Sequence, residues 1–295
     1  MDTLRLHESP VTAPIRSLDE IIADVRELSS IPHIALQIID VVNNPRASAA
    51  DLETVVGSDP SLAARILRTA NSVAYGLRRP VKTIPWAINV LGTNEVRNLA
   101  ITALIAERFK KDTVVGSYTR RGLWRHMVCT ALTARLVASR AGMRTFSEAF
   151  LAGLLHDVGI ALLDQYLHQP FVGIVTTLTP GVPLCPAERA RLGFDHAQFG
   201  ARVAEQWRFP PIILAALRYH HASDRCSDEA RPIAQAVEVA NFLCASKGIR
   251  SMGASHVASP SPSTLTALSI DRPGLKVLYD DMDGELAKAH TLIDI

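Results

Sequence analysis

The chain has 295 residues, of which 48% are hydrophobic, 20% charged and 5% aromatic, with a formal net charge of +2. That length suffices for one large aliphatic core or two smaller ones, and the balance excludes a disordered or heavily charged tail and any overall drive toward nucleic acid, which is not an expected partner. Four cysteines, Cys129, Cys185, Cys226 and Cys244, form no Cys-x-x-Cys pair and read as reduced, buried thiols; no apolar run is expected to reach the roughly 18 residues of a membrane span, and without a leader pattern the chain is expected to be cytoplasmic and free of membrane contact.

Residues 1–14, with Pro10 and Pro14, read as a flexible lead-in. Ser17 then caps a helix through Leu18, Ile21, Ile22, Val25 and Leu28, with Glu20 as capping-box partner. Ser30-Ile31-Pro32 breaks it, and Ile34 to Val42 restores the helical period until Asn43-Asn44-Pro45. Ser48 to Val56 is a short helix, and Asp59 caps the next, which starts at Pro60 and carries Leu62, Ile66 and Leu67. Asn71-Ser72, Gly76 and Pro80 mark a turn-rich link that the Asn71 side chain is expected to bridge. Ile84 to Leu91, closed by Gly92, and a helix capped by Asn94 and running to about Phe109 complete an N-terminal helical subdomain over residues 15–110. Nothing in it alternates like a strand.

A second helical subdomain is expected over residues 111–250. Its helices run from Gly122 to Ala141, Ser147 to about Leu167, Pro186 to Leu192, His196 to Trp207, Pro211 to His221 and Pro232 to Lys247, with a proline-interrupted loop from Leu178 to Pro186. Residues 251–264, rich in small residues and prolines, read as a linker. In 265–295, Leu275, Leu278, Met282 and Leu286 predict a last helix packed back on the body. The fold class is all-α. Two arginine groups, Arg120-Arg121 with Arg125, and Arg65, Arg68, Arg78 and Arg79, read as solvated, with an anion or acidic partner as the alternative at the second.

The chemistry concentrates in histidines. His156-Asp157 interrupts the apolar run Leu151 to Gly159, and burying such side chains without partners is costly. His126 precedes it on a helix whose next turns offer the small Thr130 and Thr133; His196, the pair His220-His221 and Asn241 follow at later helical stations. Imidazole and carboxylate donors suit zinc, iron, nickel or manganese, and side-by-side helices can bring distant stations onto one ion or two. For any of these residues alone, a hydrogen-bonded core or helix-end histidine is the simpler account.

The order of these stations resembles the HD superfamily of metal-dependent phosphohydrolases. Ser30-Ile31-Pro32, Asp59-Pro60-Ser61-Leu62-Ala63, Ala70-Asn71-Ser72 with Tyr75-Gly76, Ile84 to Gly92, Asp195 to Gly200, Trp207 to Pro210 and His220-His221 resemble its HDOD branch more closely, over roughly residues 28–247. The resemblance implies a multi-helix HD-superfamily domain with an N-terminal helical subdomain, and His126, His156, Asp157, His196, His220 and His221 as metal ligands, with Asn241 at the final ligand position. It also implies an output or regulatory module of bacterial signal transduction, its partner a signalling protein or a small ligand such as a cyclic dinucleotide. Two departures favour a non-catalytic module with a vestigial or structural metal site. Asn241 stands where such hydrolases have an aspartate, and Ile160 follows Val158-Gly159 where they often have a lysine. The alternative is a metal-dependent phosphohydrolase or phosphodiesterase acting on a nucleotide or cyclic dinucleotide, which the preserved histidines favour.

Overall fold

A computed structural model describes residues 17–294 apart from 29–31, 45, 180 and 254–255. The expected lead-in, the break at Ser30-Ile31 and Pro45 lie outside the described residues. Among the described residues the chain forms sixteen α-helices and one two-stranded hairpin, so the fold is all-α.

Local capping sets the first helices. Before α1 (Leu18–Leu28), the Ser17 backbone N–H donates to Glu20 Oε2 at 2.7 Å and the Glu20 N–H donates to Ser17 Oγ at 3.3 Å, closing the expected box. α2 (His33–Asn43) and α3 (Ala49–Gly57) follow, and α4 (Pro60–Ala70) is capped by Asp59, whose carboxylate accepts from Leu62 N–H at 3.0 Å. Asn71 bridges its turn from both ends, donating from Nδ2 to the Val81 carbonyl at 2.8 Å and accepting the Val81 N–H at 2.6 Å. Gly92, at φ +88°, both ends α5 (Ile84–Leu91) and caps α6 (Thr93–Ala106), ahead of the expected Asn94. α6 is buried along most of its length between α2, α4 and α5 on one side and α8 on the other.

The long α7 (Arg120–Arg140) and α8 (Phe146–Leu155) form the central pair, and α14 (Arg231–Ser246) packs on both. Gly153 allows their close approach, because a Cβ there would sit 2.9 Å from the Ala131 Cα and the Thr130 carbonyl. The helix expected from Ser147 to Leu167 is two: α8 stops at Leu155, His156-Asp157 makes a turn, and α9 (Val158–Tyr166) resumes. The apolar pattern runs through that junction without a proline to mark a stop. Taken whole, Phe146–Tyr166 is long and apolar enough to cross a membrane, contrary to the sequence expectation, but 83% of its most apolar window is buried inside the protein, as a core helix requires.

Two elements depart from the sequence reading. Val114–Val115 pairs with Tyr118–Thr119 in a small hairpin, and α10 (His168–Thr177) comes directly after α9. The hairpin corrects the reading of Arg120. Instead of opening a solvated helix start, Arg120 Nε donates to Asp164 Oδ2 at 3.1 Å beside the buried Tyr118, whose hydroxyl donates to the same oxygen at 3.2 Å; Arg121 and Arg125 are at least partly exposed, as expected. Arg65 is corrected likewise, since it is mostly buried and paired with Glu107 at 2.5 Å. α11 (Leu184–Leu192) starts ahead of the expected Pro186, which is tolerated within a first helical turn.

α12 (His196–Gln206) and α13 (Pro211–Tyr219) pack against each other and against α9 and α8, which brings all the histidine stations to one end of the central pair. Within 251–264, Met252 and Thr264 are buried, and α15 (Pro262–Ala267) begins there, capped by Ser261. α16 (Arg272–Ile293) lies along α7, burying Leu278 and Met282. Its end accepts from Trp124 Nε1 at the Ile293 carbonyl (3.1 Å), and Arg135 of α7 pairs with Glu95 of α6 at 3.1 Å and with Glu285 of α16 at 3.5 Å. α6, α7 and α16 are thereby fastened by one ion-pair group.

Candidate metal centre

Every station sits where its helix leaves a polar group unsatisfied or a neighbour supplies one. His156 and His220 stand at the C-terminal ends of α8 and α13, where the last turns leave carbonyls without partners. Each turns Nδ1 back onto the carbonyl three residues before it, His156 to Gly153 at 2.8 Å and His220 to Leu217 at 2.7 Å. His126, buried on α7, donates from Nδ1 to the Ile249 carbonyl at 3.0 Å. His196 opens α12 behind the Asp195 cap, and its Nδ1 lies 2.7 Å from the Glu188 carboxylate.

These partners fix the tautomers. Carbonyl and carboxylate oxygens only accept, so Nδ1 carries the hydrogen in all four rings and Nε2 of each neutral ring is a bare lone pair. The four Nε2 atoms converge on Asp157. Its Oδ2 lies 3.2 Å from His156 Nε2 and 3.4 Å from His126 Nε2, and its Oδ1 lies 3.2 Å from His196 Nε2 and 3.5 Å from His220 Nε2. His126 Nε2 and His156 Nε2 face each other at 3.2 Å, and His196 Nε2 faces His221 Nε2 at 3.1 Å. At His126 and His156, whose Nδ1 atoms both carry the hydrogen, two bare nitrogens at that distance repel unless a cation lies between them.

The centre thus has two halves sharing one carboxylate: His126, His156 and Asp157, and Asp157, His196, His220 and His221. Asp157 Oδ1, His220 Nε2 and Asn241 Oδ1 are buried without a hydrogen bond, since the approaches to Oδ1 do not align as bonds. Leaving such atoms unpaired costs about 1–3 kcal/mol apiece, so the donor set fits divalent ions better than it fits a closed hydrogen-bond network. Burial opposes ionising Asp157, yet His156, His126 and His196 hold its carboxyl well below the usual range. Burial lowers His220, keeping it neutral; at His196 burial pulls the same way, but the Glu188 carboxylate outweighs it and holds the ring well above its ordinary value.

All the sequence-predicted residues come together: His126, His156, Asp157, His196, His220 and His221 form the cluster, and Asn241 and Asp157 line the adjoining cavity. Thr130 stays beside the centre, its Oγ1 3.5 Å from His126 Nε2, whereas Thr133 turns to the Cys129 carbonyl at 2.8 Å. Ile160 is buried in the apolar core. Glu188 was missed. Its signal was a lone carboxylate spaced four residues from both Leu184 and Leu192, on the buried face of a helix. The cavity, about 950 Å³, opens onto Asp157, His196 and His221 and carries four arginines, Arg189, Arg202, Arg218 and Arg225, against two acids, Asp157 and Asp195.

The HDOD domain family model matches residues 28–223, two thirds of the chain. The chain belongs to the HDOD family. Among solved structures, a provisionally assigned signal transduction protein from Marinobacter aquaeolei VT8 is 26% identical, with a TM-score of 0.78 over 93% of this HDOD chain and 64% of that one. A provisionally assigned phosphohydrolase from Shewanella amazonensis SB2B shares the fold at 22% identity and a TM-score of 0.72, over 92% of this chain and 98% of that one. An uncharacterized protein of Treponema pallidum (strain Nichols) is 23% identical over 75% of this chain, which spans 43% of that relative's length.

Proposed function

We propose that this HDOD chain is a signal-transduction module whose histidine–aspartate centre holds two divalent metal ions and serves recognition rather than turnover. Support comes first from the two sets of imidazole Nε2 atoms arranged about the two oxygens of Asp157. His126, His156 and Asp157 would hold one ion, and Asp157, His196, His220 and His221 the other, with Asn241 as a neutral oxygen donor. Such a pair of ions supplies a charge clamp for phosphate oxygens and the means to activate water. This chain's own residues bind and orient more than they move charge. Asn241 brings no anion, and Ile160 puts an apolar side chain into the core at the position where a lysine would stabilise a developing phosphate charge.

The arginine-lined cavity fits an anionic small ligand of nucleotide size, because wells of one charge sign concentrate the opposite one. The same cavity favours the second reading, a metal-dependent phosphohydrolase, since Arg218 or Arg225 on its wall could replace the absent lysine, Arg189 and Arg202 being paired with Asp195 and Asp19. Manganese-loaded protein incubated with bis(p-nitrophenyl) phosphate separates the two. The first reading expects hydrolysis no faster than that of Asp157→Ala; turnover that the variant loses supports the hydrolase instead.

A further inference from the structure

We propose that Glu188 is a positioning residue for His196, fixing its tautomer and ring direction so that Nε2 is presented to the shared Asp157. The need arises from where His196 stands. His156 and His220 end their helices and find an acceptor in their own last turn, while His126 finds one in the Ile249 carbonyl. His196 is the first residue of α12, and a helix N-terminus offers only unsatisfied N–H groups, so its own helix has no acceptor for Nδ1. Glu188 supplies one from α11. Its Oε2 accepts both the His196 backbone N–H at 3.0 Å and Nδ1–H at 2.7 Å, a two-point hold on one residue.

Glu188 is fully buried, and its other oxygen, Oε1, has no hydrogen-bond partner, so the carboxylate sits in the interior with the His196 contacts as its observed hydrogen bonds. A carboxylate behind an imidazole also makes the ring a stronger metal ligand than a carbonyl does. Cys185 Sγ approaches the same Nδ1 at 3.9 Å, but that nitrogen is already engaged by Glu188. The trio Cys185, Glu188 and His196 therefore reads as support for the cavity-side half of the centre, not as a third ion site.

The metal part of the test rests on the reading that the centre holds ions; the tautomer part does not. Nitrogen-15 spectra of histidine-labelled, metal-free protein, taken at a pH high enough for the His196 ring to be neutral, report which of its ring nitrogens carries hydrogen. The parent is expected to show Nδ1–H, Glu188→Gln to keep it through the amide oxygen, and Glu188→Leu to move the hydrogen to Nε2. With manganese added, the cavity-side ion is expected to bind about 10- to 100-fold more weakly in Glu188→Leu while the His126 and His156 side is unchanged; Cys185→Ala should leave both ions in place. An unchanged tautomer in Glu188→Leu, or an ion lost in Cys185→Ala, overturns the proposal. If Glu188→Leu fails to fold, Glu188→Ala, which also removes the acceptor, decides by the same spectra: hydrogen moved to Nε2 supports the role, and an Nδ1–H tautomer kept overturns it. A parent that takes up no metal defeats the two-ion reading and leaves the spectra to decide the role of Glu188.

Discussion

The two halves of the centre are built from the same residue types and held in different ways. On the His126 and His156 side, the rings project from the tightly packed α7 and α8, and both Nδ1 atoms rest on backbone carbonyls, that of Ile249 just after α14 and that of Gly153 within α8. On the cavity side, His220 keeps that device, but His196 leans on a side chain, Glu188, and His221 lies at the exposed mouth. A backbone acceptor cannot be removed by substituting a side chain, whereas a side-chain acceptor can be altered alone. The inner half is therefore the permanent part of the site and the outer half the part that ligands and substitutions reach.

The largest expected effect erases the distinction. Asp157→Ala removes the oxygens that both halves share, so both ions are lost, together with the metal-dependent rise in melting temperature. At metal a hundredfold above Kd each ion contributes about 2.7 kcal/mol to the parent, which calorimetric scans with and without a chelator measure. Gly159→Ala acts on the outer half. A Cβ there would lie 2.0 Å from the His196 carbonyl oxygen, forcing α9 and α12 apart, with a loss of about 3 kcal/mol and of cavity-side metal binding while the inner ion stays. Chemical denaturation and metal titration of that variant report the two effects separately.

Single-ligand changes sharpen the contrast further. His126→Ala is expected to cost the inner ion alone and His221→Ala to weaken the outer one alone, read as ions bound per chain in competition with a chromogenic chelator. If both variants lose both ions, the halves are one cooperative site and the comparison fails. The smallest effect lies away from the centre. Asn71→Ala removes the two-point bridge to Val81, lowering stability by about 1–2 kcal/mol in chemical denaturation with metal content unchanged.

The features legible in the sequence are those that depend on near neighbours. Caps and periodicity are local, so Ser17 with Glu20, Asp59 before Pro60, and the long helix carrying His126 were readable directly. The junction at His156-Asp157 was not, because Leu154, Leu155, Val158 and Ile160 continue an apolar pattern across it and no local stop signal marks the break. Arg120 and Arg65 looked solvated because their acids, Asp164 and Glu107, lie 44 and 42 residues along the chain. The histidine stations were legible as a set, since several ligand-type side chains on apolar helices have a shared explanation. Their division into two halves was not, because it depends on which ring nitrogen each neighbouring acceptor claims.

Metal content by elemental mass spectrometry, on untagged protein reconstituted with manganese and passed through a desalting column, tests the central claim most directly. The account predicts close to two ions per chain for the parent and none for a folded Asp157→Ala. A folded parent that emerges free of metal, or a variant that retains as much as the parent, would contradict it.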